Sequence, residues 1–139
     1  MVKYFNRDSL DYEFADKFEA GLVLSGADAK ALRVNGVQFK GARVEIINGI
    51  PSVFNLTITP YKYAQNSEVD KSGERRLLLS AKEIAKLQSL RHQKYMLIPV
   101  AIYPKGRWFK MEVGVGRKMR KYEKREKIKK EEIKKDLKQ

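Results

Sequence analysis

The chain contains no cysteine, which excludes disulfides, thiolate metal sites and thiol nucleophiles together. It has one histidine, His92, so a zinc site would have to rest on carboxylates. The acidic residues Glu19, Glu45 and Glu112 are scattered through separate apolar segments and form no acid/base couple. No apolar run approaches the length of a membrane span, and the first residues, "MVKYFNRDSLDYEF", lack the apolar core of a signal peptide; a cytoplasmic location is expected. There is no Gly-rich phosphate loop, no nucleophile elbow and no histidine pair at helical spacing. Gly114 and Gly116 in "GVGRKMR" are only a partial echo of a nucleotide loop, since no acidic residue or apolar helix completes it, and they are read as a flexible joint. His92, between Arg91 and Gln93 near a helix end, is read as exposed and inactive. A protein that is not an enzyme, with no cofactor and no metal, is the expectation.

Positive charge is what the chain has in excess. Its 30 Lys and Arg outnumber 17 Asp and Glu, a net +13 over 139 residues. The usual partners of such a field are nucleic acid or an anionic membrane surface. The excess is uneven: residues 117–139 hold 12 basic and 5 acidic side chains, a net +7. The length suits one domain with a core and is too short for two. Residues 1–116 are therefore read as the folded body and 117–139 as a basic tail.

Within the body, "EAGLVLSG" (Glu19 to Gly26) reads as a strand, and "ADAKALRVNG" as a short helix stopped at Asn35-Gly36. Asn48-Gly49 suits the positive φ angles of a hairpin turn, and after it Phe54, Leu56 and Ile58 alternate with polar residues. Pro60 to Arg75 reads as a loop, and "RRLLL" as a strand. Ser80 and Glu83 form a capping-box pattern ahead of Ile84, Leu87 and Leu90, which marks a helix. "YMLIPVAIYPKGRWFKMEVGV" reads as a strand pair turning at Pro104-Lys105-Gly106. In its second arm Phe109, Met111, Val113 and Val115 share one face, with Trp108, Lys110 and Glu112 on the other. Many short strands with two short helices point to a mainly β fold, a small closed or partly closed barrel.

Two features suggest binding. A flat indole at Trp108 beside the ammonium of Lys110 is suited to stacking on an unpaired base while the cation meets phosphate, the alternative being an aromatic that covers a barrel mouth beside a solvated lysine. In the tail, Ile128, Ile133 and Leu137 are too sparse for an apolar stripe, yet Glu123 with Lys127, Glu126 with Lys130 and Glu131 with Lys135 have the favourable helical order. Such a segment is expected to be disordered alone and to become helical against an anionic partner, the alternative being a solvated tail that serves solubility. Membrane binding is disfavoured by the thin apolar face.

The stretch "YEFADKFEAGLVLSGADAKALRVNGVQF" resembles the amino-terminal signature of the SmpB family, which binds transfer-messenger RNA (tmRNA): Tyr12, then Glu19-Ala20-Gly21, Gly26 and Lys30-Ala31-Leu32-Arg33. The order continues through "ITPY", "RRLLLSAKEI", "GRWFKMEVGVGR" and "YEKRE", nearly to the end of the chain. The resemblance implies an oligonucleotide-binding-like (OB-like) antiparallel barrel with short flanking helices and a basic tail. It implies binding of the tRNA-like domain of tmRNA and delivery to stalled ribosomes, the body standing in for the missing anticodon arm in the decoding site. The tail would enter the empty message channel and become helical against ribosomal RNA. The partners so implied are tmRNA, the ribosome and, through the charged tmRNA, elongation factor Tu; a monomer is expected.

Glu19, Leu78 and Lys110 match family positions implicated in RNA binding, and Lys30 and Arg33 lie in the matching helix motif as phosphate contacts. Tyr12 and Trp108 complete that group. Leu78, inside an apolar strand, is also compatible with a purely core role. Arg117, Lys118, Arg120, Lys121, Tyr122, Glu123, Lys124 and Arg125 form the ribosome-directed tail segment, in which Glu123 replaces a family aspartate. Lys118-Met119-Arg120 stands for a family Gly-Lys-Lys, and Leu10 falls where the family has a histidine. The competing readings are a general single-strand or ribosomal RNA binder and, with no carboxylate cluster to serve it, a phosphoryl-transfer enzyme or nuclease.

Overall fold

Alternation of apolar and polar residues builds long strands here, and glycine and asparagine place the turns between them. The computed structural model describes residues 3–59 and 73–120, together with 125, 126 and 129. In chain order come β1 (Tyr4–Phe5), a 3-10 turn (Arg7–Asp11), β2 (Tyr12–Leu22), α1 (Gly26–Asn35), β3 (Val37–Gln38), β4 (Arg43–Ile47) and β5 (Ile50–Phe54). They are followed by β6 (Thr57–Ile58), β7 (Arg75–Leu78), α2 (Ala81–His92), β8 (Met96–Lys105) and β9 (Trp108–Lys118). The loop expected over residues 60–75 falls largely outside the described residues.

Seven strands form one antiparallel sheet in the order β1-β8-β9-β2-β7-β5-β4, and β3 pairs with β6 separately. The sheet curls until β4 comes near β8, but no ladder joins them, so it stays open with β1 and β4 as its edges. The fold is mainly β, as expected, and the full closure offered as one form of the barrel is not reached.

Most turn signals hold. Asn48 and Gly49 have φ of 53° and 78° and join the paired Ile47 and Ile50. Ser80 and Glu83 close the capping box of α2 from both sides, at 3.2 and 3.1 Å. The last hairpin turns at Gly106, φ 63°, between the paired Lys105 and Trp108, slightly later than expected. The expected strand at residues 19–26 is displaced: β2 begins seven residues earlier and stops at Leu22, because Ser25 caps α1 by accepting from the Asp28 N–H at 3.0 Å.

The core lies inside the curl, around Leu32, Leu56, Leu77, Leu87, Ile102 and Met111. A buried ion pair fastens α1 to β7. Arg75, 4% exposed, brings its Nε to 2.9 Å from Oδ2 of Asp28 and its Nη1 donates to the Glu74 carbonyl at 2.8 Å. The amino-terminal segment is held by Asn6, whose side-chain amide donates to the Pro99 carbonyl at 2.7 Å beside the β8 bulge.

Gly114 and Gly116 are not a flexible joint. Both are buried in β9 and paired on each side, to β2 and to β8. A Cβ on Gly114 would lie 2.4 Å from the Phe14 ring, and one on Gly116 would lie 2.1 Å from the Glu13 carbonyl oxygen. The missing side chains let the β2 bulge after Phe14 lie close on β9. Gly116→Ala is therefore expected to destabilise the protein by about 1–3 kcal/mol, because backbone cannot move aside as a side-chain tip does. A denaturation midpoint equal to the parent's would contradict that packing.

Candidate nucleic-acid interface

Strand register gathers the site. Tyr103 on β8 opposes Lys110 on β9, Lys110 opposes Gly21 on β2, and Gly21 opposes Leu78 on β7. These four positions form one row across the sheet, on the face away from the core. Leu78 is 58% exposed, so the core role the sequence left open for it is set aside: in β7 Arg75 and Leu77 point inward, Arg76 and Leu78 outward. Gly21 contributes no side chain to the row, and a cavity of about 310 Å³ opens there, lined by Val23, Leu78, Trp108, Phe109 and Lys110. Trp108 is 71% exposed at its rim. An aromatic face, an apolar floor and a cation thus meet at one place, which is what an unstacked base with its phosphate requires.

Charge on this face is arranged by pairing. Glu19 and Glu112 sit directly opposite one another on β2 and β9, an unfavourable juxtaposition unless each is neutralised. Lys17 lies 3.5 Å from Glu112. Glu19 accepts from Lys105 Nζ at 2.9 Å and from the Tyr103 hydroxyl. Those donors, Tyr103 first and Lys105 second, hold the Glu19 carboxyl below its ordinary pKa. Partial burial, then the Glu19 carboxylate, push the Tyr103 phenol up to about 12. Lys110 has no ion-pair partner among the described residues, so its ammonium is left for an external anion.

The other expected residues are distributed around this centre. Arg33, on α1, places its guanidinium 5.5 Å from the ring centroid of Phe109, which lines the cavity. Lys30 is exposed on the same helix. Tyr12 is not at the cavity: it stands nine residues from Gly21 along β2, about 30 Å at the usual strand rise. There it stacks on Phe14, with centroids 6.4 Å apart, and pairs with Lys118. Arg117 and Lys118 belong to β9, and Arg117 holds Glu13 at 2.8 Å, so the root of the tail is part of the sheet. Arg120 is exposed, and Arg125 is exposed on helical backbone. Lys121, Tyr122, Glu123 and Lys124 lie outside the described residues, as does at least one member of each expected helical pair. The sequence reading missed Tyr103 and Lys105 as partners of Glu19, since their contact depends on which strands are neighbours. No group of three or more metal-ligating side chains occurs among the described residues, and no helix there is long and apolar enough to cross a membrane.

An open, curled antiparallel sheet carrying an exposed aromatic and, among the described residues, a cation with no ion-pair partner on its outer face has the form of a nucleic-acid-binding β protein. The model of the SmpB protein family matches residues 4–139. The SsrA-binding protein of Elusimicrobium minutum is 38% identical over 139 residues, covering 99% of this chain and 88% of that protein. That of Geotalea uraniireducens is 38% identical over 128 residues, covering 91% and 85%. A solved chain described under "tmRNA-SmpB: a journey to the center of the bacterial ribosome" superposes with a TM-score of 0.71 at 32% identity, covering 87% of each chain. The chain belongs to the SmpB family, and its fold is OB-like.

Proposed function

We propose that this protein binds tmRNA, the SsrA RNA, through the outer face of β7, β2, β9 and β8, and acts with it on stalled ribosomes in trans-translation. The observation that carries this reading is the cavity over Gly21, where exposed Trp108 and Leu78 flank Lys110, which has no ion-pair partner among the described residues. Membership of the SmpB family supplies the identity of the RNA. In finer detail, the tRNA-like domain is the part gripped, and a monomer of the protein fills the place of the absent anticodon arm in the decoding site. The basic tail occupies the vacant message channel along ribosomal RNA, and elongation factor Tu joins through the charged tmRNA. The role is that of an adaptor, without a reaction of its own.

The test compares two lysines on one face. Lys110→Ala is expected to weaken binding to the tRNA-like domain and to lower the slope of log affinity against log salt by about 1, the signature of one lost phosphate contact. Lys105→Ala is expected to leave that slope unchanged, because its charge is already neutralised by Glu19 at 2.9 Å. Equal slopes for Lys110→Ala and the parent would remove Lys110 from the phosphate contacts. Stacking on Trp108 tolerates any base, which favours the general RNA binder as the second reading. Competition of labelled tmRNA by unlabelled transfer RNA and ribosomal RNA at fixed salt separates the two: equal competition supports the general binder.

A further inference from the structure

Glu19 is an anion on a surface whose partner is a polyanion, and its place there needs a physical account. Tyr103 and Glu19 are not on neighbouring strands. β9 runs between them, so their Cα atoms are separated by two strand spacings across the sheet and two residues along it, about 12 Å in all. Their side chains nevertheless meet, the phenol donating to Oε2 of Glu19 while Lys105 donates to Oε1. Because Tyr103 shares its row with Lys110, and Glu19 shares its row with Glu112, this bridge crosses β9 diagonally between Lys110 and Glu112. On the near side the Lys3 ammonium stands 5.7 Å from the Tyr103 ring centroid, and on the far side Glu112 is engaged by Lys17.

We infer that Tyr103 is a positioning residue for RNA recognition: by bridging β9 it fixes the Glu19 carboxylate toward the incoming RNA and keeps Lys110 apart from Glu112. The inference rests on the proposed RNA reading of this face and assigns within it a side chain that makes no phosphate contact. A carboxylate offers about four acceptor sites, and the two internal donors occupy only part of them. The rest accept from amino or imino groups on the Watson–Crick edge of an unpaired base, the recognition chemistry open to an anion on RNA. Fixing the side chain beforehand removes the entropy of ordering it at the moment of binding. The charged and titratable groups around Glu19 are Tyr103 and Lys105 from β8, Lys110 and Glu112 from β9, and Lys17 from its own strand.

Tyr103→Phe keeps the ring and deletes the donor. Measured with the full chain and the tRNA-like domain, it is expected to weaken binding about tenfold, in line with loss of a hydrogen bond to a charged group. The salt slope and the melting temperature are expected to stay at parent values. Carbon-detected NMR titration of the free protein is expected to show the Glu19 carboxyl protonating at higher pH in this variant, since its principal stabilising donor is gone. In a Glu19→Ala background, Tyr103→Phe is expected to add nothing. Affinity unchanged by Tyr103→Phe but reduced by Glu19→Ala overturns the inference and leaves the proposed interface standing. An effect of Tyr103→Phe that persists without Glu19 also overturns it, because the phenol then contacts RNA itself. Unchanged affinity in Glu19→Ala removes Glu19 from the interface, and the inference with it.

Discussion

Ending the chain after Arg120 is expected to abolish tagging of nascent chains on stalled ribosomes while leaving affinity for the tRNA-like domain within about tenfold of the full protein's. The segment removed holds 9 Lys or Arg and 5 acidic residues, and its three described residues, 125, 126 and 129, are helical rather than part of the sheet. Its Lys-rich, Glu-rich sequence has good helical propensity, but an isolated helix of this length is marginal in water. On the proposed reading the anionic surface against which it forms a helix is ribosomal RNA. The point of truncation matters. β9 continues to Lys118, Met119 N–H donates to the Asp11 carbonyl at 2.8 Å, and Arg117 pairs with Glu13. Ending instead at Gly116 strips two strand positions from β2 beside Tyr12 and is expected to reduce stability and RNA affinity as well. In vitro tagging and a binding titration on both truncations provide the check. Parallel loss of tagging and affinity in the chain ending at Arg120 would defeat the division into a gripping body and a ribosome-directed tail.

The second large effect is expected at the pair between Asp28 and Arg75. Both side chains are almost wholly withdrawn from water, at 3% and 4% exposure, and Arg75 Nε stands 2.9 Å from Oδ2 of Asp28. Asp28 also lies in the first turn of α1, where a negative charge is favoured by the helix dipole. Asp28→Ala takes from the buried Arg75 guanidinium the carboxylate 2.9 Å from its Nε, for which the expected cost is about 3–5 kcal/mol. For a domain of this size that lowers the melting temperature by roughly 10 °C or more. Replacing both residues together, Asp28→Leu with Arg75→Met, is expected to recover most of the loss, since the two buried charges are withdrawn together. A calorimetric scan showing the single change to be neutral would mean that water reaches the pair.

Much of the candidate site was readable before the fold was known. Period-2 alternation in β9 correctly sent Phe109, Met111, Val113 and Val115 to the core and Trp108, Lys110 and Glu112 to the outside. Alternation alone could not place Leu78, because "RRLLL" is uniform where the pattern needs contrast; that Arg75 is the buried member follows only from its pairing with Asp28. The glycines in "GVG" read as slack in one dimension and as tight packing in three, because what they make room for, Phe14 and the Glu13 carbonyl, lies about a hundred residues earlier in the chain. Tyr12 carried a family role, but sequence could not say that the length of β2 separates it from the cavity.

By itself the sequence determined the local matters: the Asn48-Gly49 turn, the capped α2, the inward and outward faces of β9, the excess of charge at the carboxy terminus, and the ordered motifs that mark the SmpB family. Each depends on residues close together in the chain, where propensity, spacing and charge act directly. Strand order was decided only by the tertiary structure, and with it the row from Tyr103 through Lys110 and Gly21 to Leu78, the bridge to Glu19 and the burial of Asp28 with Arg75. The bridge joins residues 84 positions apart and the ion pair residues 47 apart, and neither pair meets until the sheet has brought their strands and helix together.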